Sequence, residues 1–98
     1  MSWFDIKIQV EGLNVPSDQF ANALDLVSAG HDVPAPLSAT LGSYDAGLSL
    51  HWADRELTVF ADRYESYTFA DGDTLINHWP HLPGQAVDPA LLAILVAY

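Results

Sequence analysis

The side chains best suited to chemistry near neutral pH are the four histidines, His31, His51, His78 and His81. His78-Trp79-Pro80-His81 offers two imidazoles to a metal. Pro80 excludes the helix that would bring them onto one side, and no cysteine completes a ligand set. The spacing reads better as one histidine on a strand and one in the following loop, so no metal is assigned. Asp71-Gly72-Asp73 matches the opening of a calcium-binding loop, but Leu75 and Leu82 stand where the fifth and twelfth positions need oxygen ligands. A tight hairpin turn accounts for the triplet. His31-Asp32 and His51 could act as acid–base groups beside Ser38, Ser43 or Ser49. No nucleophile elbow and no phosphate-cradling glycine loop accompanies them. No catalytic residue and no cofactor is assigned, and the expectation is a protein that is not an enzyme.

Charge is the more informative feature. Thirteen carboxylates face three basic side chains, Lys7, Arg55 and Arg63, for a net charge of -10 on 98 residues. Internal pairing cannot neutralise that surplus, so most acids face water or a basic partner. Such a surface repels nucleic acid and anionic membranes. Direct nucleic-acid binding and membrane association are therefore not expected. Half of the residues are apolar, which disordered acidic tails lack, and the length suits one domain spanning 1–98. The absence of cysteine excludes disulfides and favours a cytoplasmic protein. The start, MSWFDIKIQVEG, is not expected to be a signal peptide, and the apolar run from Pro89 to Tyr98 is too short to span a bilayer.

These groups need a scaffold. In WFDIKIQV, residues 3–10, apolar Phe4, Ile6, Ile8 and Val10 alternate with Trp3, Asp5, Lys7 and Gln9, which predicts a half-buried strand. Residues 17–29 predict a helix capped by Ser17, with Asp18 in its first turn. Its apolar stripe is Phe20, Leu24 and Val27, and Gly30 stands at a left-handed C-terminal cap. Pro34 and Pro36 place a loop over 31–45, packed through Val33, Leu37 and Leu41, with a short strand at Ser38–Leu41 as an alternative.

From Gly47 onward, LSLHW, ELTVF, YESYTF and TLINHW are separated by Ala53-Asp54-Arg55, Ala61-Asp62-Arg63 and Ala70-Asp71-Gly72, which predicts a four-strand antiparallel meander with recurring turn chemistry. Asp88-Pro89 then opens a helix that is apolar on every side. The expected fold is α+β. It is a two-layer sandwich in which the N-terminal strand and the meander form one antiparallel sheet, with two helices on one face.

In a meander, alternate turns share one end of the sheet. Asp54, Glu56, Asp71 and Asp73 therefore form an expected acidic rim, with Arg55 as counter-charge. Trp52, Tyr64, Tyr67 and Trp79 are expected either to pack across strands or to form an exposed aromatic patch that anchors a protein partner. The apolar last helix, through Leu92, Leu95 and Tyr98, is a candidate surface for a homodimer.

The leading functional expectation is a small acidic protein that binds and inhibits a basic protein, in particular one that handles nucleic acid. Bacterial immunity proteins, antitoxins and phage-encoded inhibitors work in this way. The chain is similar to them in size, acidity and lack of a catalytic motif, and no motif assigns it to a family. The competing expectations are an accessory subunit that assembles through the apolar C-terminal helix, and a small enzyme or ligand binder that uses His51, His78 or His81 near a carboxylate.

Overall fold

The computed structural model describes residues 2–30, 33–41, 47–70 and 72–96. Its order is helix α1 (Trp3–Gly12), helix α2 (Ser17–Ala29), strands β1 (Ser38–Leu41), β2 (Leu48–His51), β3 (Arg55–Val59), β4 (Arg63–Ala70) and β5 (Asp73–Pro80), then helix α3 (Pro89–Val96). The strands form one antiparallel sheet in the order β1-β2-β3-β4-β5. The α+β class and the four-strand meander stand as expected. The fifth strand is β1, not the N-terminal segment, and there are three helices among the described residues.

The N-terminal segment is the main correction. Ser2 Oγ accepts from Asp5 N at 3.2 Å, and Ser2 N donates to Asp5 Oδ2 at 3.0 Å, a reciprocal cap that starts a helix. The hydrogen bond from the Ser2 backbone also holds the Asp5 carboxyl below its ordinary pKa. Trp3, Ile6, Val10 and Leu13 recur at helical steps and turn inward, with Ile6 and Val10 buried. Phe4 and Ile8, which alternation had placed beside Ile6, are exposed. The Trp3 indole N–H donates to the Val33 carbonyl at 2.8 Å and ties α1 to the chain before β1.

Asn14, with φ 55°, turns the chain from α1 into α2. Pro16, not Ser17, is the N-cap residue of α2, and no side chain caps it; Gly30 has φ −89°, not a left-handed conformation. The buried stripe is Gln19, Asn22, Ala23 and Leu26, rotated away from the expected Phe20, Leu24 and Val27, which are half-buried. Asn22 Nδ2 donates to the carbonyls of Phe60 (2.8 Å) and Ala61 (3.1 Å), at the turn from β3 to β4. Of the three residues expected to pack this segment, only Val33 is buried; Leu37 and Leu41 are exposed, and Pro36 is buried in their place.

The strand register assigns the two faces of the sheet. Leu48 pairs with Val59 and Leu50 with Leu57, and Val59 pairs with Tyr64, so these five buried residues share one face. Arg55 lies on the same face, and its guanidinium reaches the carbonyls of Ile94 and Leu95, so α3 lies there too. The core joins these side chains to Ile6, Val10, Ala23, Leu26, Leu91 and Leu95 from the three helices. Each fully buried leucine contributes about 1.5–3 kcal/mol. No described helix lies over the opposite face.

Two hairpins are built alike. Trp52 N donates to Arg55 O at 2.9 Å across Ala53-Asp54, and Phe60 N donates to Arg63 O at 2.8 Å across Ala61-Asp62. The near-repeat in the sequence is thus recurring turn geometry. Gly47 lies opposite Phe60. A Cβ there would come within 2.6 Å of Thr58 and 3.0 Å of the Phe60 ring, so only glycine fits. Gly72, with φ 81°, supplies the left-handed conformation in the turn from β4 to β5.

In α3, Asp88 Oδ1 accepts from Ala90 N at 2.9 Å and Pro89 occupies the first turn, as expected. The helix is apolar all round, as expected, but it is buried on one side. Leu91 and Leu95 are buried, while Pro89, Ala90 and Ala93 face outward. Among the described residues no helix is long and apolar enough to cross a membrane.

Candidate binding site

The turn from β2 to β3 brings two of the expected partner-binding residues together. Trp52 and Asp54 line a pocket of about 360 Å³ with Pro34, Ala35, Leu37 and Ala53. Trp52 is half-buried and fixed on two sides. Its indole N–H donates to the Pro34 carbonyl at 2.8 Å, and its ring meets Trp3 edge-on at 6.1 Å. Leu37, 63% exposed, stands at the pocket as an unpaired apolar group. Apart from Asp54 the named lining is apolar.

Asp54 is held in place by its neighbour. Arg55 Nε donates to Asp54 Oδ1 at 2.9 Å, and Nη2 donates to Oδ2 at 3.1 Å. The Arg55 hydrogen bonds hold the Asp54 carboxyl below its ordinary pKa, so it is ionised at neutral pH. Its side chain remains 53% exposed.

The rest of the expected rim is only partly assembled. Phe69 N donates to Asp54 O at 3.1 Å, which sets the first meander turn against the strand that leads into the third, so these two turns share an end. Asp73 is exposed at that end. Asp71 lies outside the described residues. Glu56 is not on the rim. It sits on the sheet face opposite the helices, with Oε1 2.9 Å from His51 Nδ1. The other described acids are dispersed: Asp5 and Glu11 on α1, Asp18 and Asp25 on α2, Asp62 in a turn, Glu65 on β4 and Asp88 before α3.

The aromatic patch also comes apart. Tyr64 is buried on the helix face, its hydroxyl donating to the Asn22 carbonyl and its ring 4.8 Å from that of His81. It is a core residue and offers no surface to a partner. Trp79 shares that face, half-buried, with its N–H on Ser66 Oγ at 2.9 Å. Only Tyr67 lies on the opposite face, where its hydroxyl donates to Glu65 Oε1 at 2.8 Å. Leu95 is likewise buried within the chain, so it is unavailable for self-association; Leu92 is half-buried against the core and Tyr98 lies outside the described residues.

The face opposite the helices holds two polar constellations, which set the candidate histidines His51 and His78 beside carboxylates. Thr40 Oγ1 lies 2.8 Å from His51 Nε2, and Glu56 lies on the other ring nitrogen. The three residues come from β1, β2 and β3. Beside them Glu65 accepts from Arg63 Nε at 2.7 Å and lies 3.4 Å from His78 Nδ1. Burial pushes the Glu65 carboxyl up, but hydrogen bonds from Arg63 and Tyr67, with the charges of Arg63 and His78, leave its pKa lowered. Arg63, held by Glu65 and Asp62, also lies 4.1 Å above the Phe60 ring. His81 is buried, with Nε2 2.9 Å from Asp25 Oδ2, and it belongs to the core. No group of three or more histidines and carboxylates able to hold a metal occurs among the described residues.

No family model, curated protein or solved structure matches the chain. Function is therefore read from geometry and charge.

Proposed function

We propose that this chain binds a basic protein and that the Trp52–Asp54 pocket receives a lysine or arginine side chain of that partner. The observation that carries this reading is the shared pocket: an apolar wall of Trp52, Pro34 and Leu37 beside an ionised, half-exposed carboxylate. A long cationic side chain has the matching form, an aliphatic stem with a charged head. Tryptophan is also the best aromatic partner for a cation. The net charge of -10 would steer a basic partner to the surface from every side. The acids are dispersed, so the long-range attraction is general and the pocket supplies the local contact. Inhibition of a nucleic-acid-handling partner, in the cytoplasm, is the form of this function that the charge and the lack of cysteine favour.

Titration with a lysine-rich peptide, followed by tryptophan fluorescence, tests this. Binding should weaken as salt rises, and Asp54→Asn should weaken it more than Asp18→Asn, which removes the same charge from an exposed site elsewhere. Equal losses in the two variants would overturn the pocket reading.

The contacts of His51 favour a second reading as a small hydrolase. A hydroxyl on one ring nitrogen and a carboxylate on the other is the arrangement that activates a nucleophile. If Thr40 is activated, p-nitrophenyl acetate should be cleaved with loss of the activity in both Thr40→Val and His51→Gln. Background-level cleavage by the unmodified protein would remove this reading.

A further inference from the structure

We propose that strand β5 pairs with β5 of a second copy of this chain, joining two five-stranded sheets into one. The two edges of the sheet differ. At β1 the edge is short, and Gln9 Oε1 accepts from Ala39 N at 3.3 Å. At β5 the edge runs over eight residues, and among the described residues β4 is its only strand neighbour. Ala70 pairs with Asp73 across the two-residue turn, so alternate residues of β5 direct their backbone groups to β4 and away from it. The outward set is Thr74, Ile76, His78 and Pro80. Phe69, the partner of Thr74, confirms the phase, since its N–H is directed to β3 and reaches Asp54 O. Pro80, which has no N–H, falls on the outward set, where a strand tolerates it. Among the described residues no hydrogen bond reaches the outward backbone groups of Thr74, Ile76 or His78.

Such an edge invites another strand. Its own sequence fits it in a two-fold arrangement centred on Ile76. Ile76 would then face Ile76 of the partner subunit, and Thr74 would face His78 of the partner subunit. In these pairs the outward N–H and C=O groups of both strands meet. Along the seam itself Asp73 is the only carboxylate on β5, and it would lie opposite Trp79 of the partner subunit. The arrangement would also cover Ile76 and its neighbour Leu75, which are 49% and 63% exposed on opposite faces of the strand. It stands apart from the pocket at Trp52 and from helix α3.

Sedimentation equilibrium on the full chain tests the proposal. The unmodified protein should dimerise at micromolar concentration. Ile76→Lys, which sets two ammonium groups against each other, should be monomeric with an unchanged circular dichroism spectrum, and so should Ile76→Glu. Mixing the two variants should restore a dimer, because only a register that brings residue 76 against itself makes them complementary. A monomeric unmodified protein, a dimer that survives Ile76→Lys, or variants that fail to pair on mixing would each overturn the arrangement.

Discussion

The Nη1 atom of Arg55 lies 2.9 Å from the carbonyl oxygen of Leu95 and 2.8 Å from that of Ile94. A side chain on β3 thus satisfies carbonyls in the last turn of α3, where the helix has no partners of its own. Arg55 is 4% exposed, and its other nitrogens hold Asp54 at the pocket. One guanidinium therefore couples the C-terminal helix, the sheet and the candidate binding site.

Replacing Arg55 with Met should destabilise the fold by at least about 1.5–3 kcal/mol, the value of a hydrogen bond to a charged group. Arg55→Lys should recover only part of the loss, because an ammonium cannot hold the Asp54 carboxylate and the helix carbonyls with the same planar fork. Urea denaturation of the three proteins measures this. Stability of Arg55→Met equal to that of the unmodified protein would show that the contact contributes nothing.

The buried hydroxyl of Tyr64 gives an alkaline signature. Burial, and then the negative charge of Asp25, push its pKa above the ordinary 10.0. A raised folded-state value means that the group's stabilising contribution is complete below pH 10 and is lost as pH rises through the folded-state value. Tyr64 should therefore stay protonated in an ultraviolet titration until the fold opens. Tyr64→Phe should cost about 0.5–1.5 kcal/mol at neutral pH by removing the hydroxyl's bond to the Asn22 carbonyl, which keeps its place in the α2 helix, and should lose less stability above pH 10.

Glu65 gives the acid counterpart. Its lowered folded-state pKa means that its contribution is present above the ordinary 4.5 and is lost as pH falls through the lower folded value. The midpoint of urea unfolding, followed downward from neutral pH, should fall less below pH 4.5 in Glu65→Gln than in the unmodified protein. Parallel curves would mean that the Arg63 and Tyr67 contacts do not favour the charged form.

Helix and strand make opposite predictions for the N-terminal segment. In a strand Ile6 and Ile8 would share the buried side. In α1 Ile6 is buried and Ile8 is 52% exposed. Ile6→Ala should cost about 2–5 kcal/mol and Ile8→Ala far less, while Ser2→Ala should cost about 0.5–2 kcal/mol by removing the cap. Comparable costs at positions 6 and 8 would favour the strand.

Much of the sheet was legible because its signals are local. Ala-Asp turns at Ala53-Asp54 and Ala61-Asp62, the glycine at Gly72 and β-forming runs between them act within a few residues, and each stands where expected. Asp88 and Pro89 marked the start of α3 for the same reason. The segment 3–10 misled because its apolar residues satisfy two periods at once. Alternation joins Phe4, Ile6, Ile8 and Val10, while helical spacing joins Trp3, Ile6 and Val10. The three-residue spacing of Ser2 and Asp5, whose side chains make reciprocal capping bonds in the structure, was the available signal for the helix.

Charge balance, the lack of thiol chemistry and the antiparallel meander follow from the order of residues alone, since each depends on composition or on neighbours in the chain. Which acid stands beside which aromatic depended on the packed structure. Trp52 meets Asp54 at a pocket because the segment before β1 folds back to close it through Pro34 and Leu37. Tyr64 and Leu95 are lost to the surface because the sheet and the helices bury them against each other. Burial and long-range contact are properties of the assembled layers, and chemically equivalent side chains are sorted only when those layers meet.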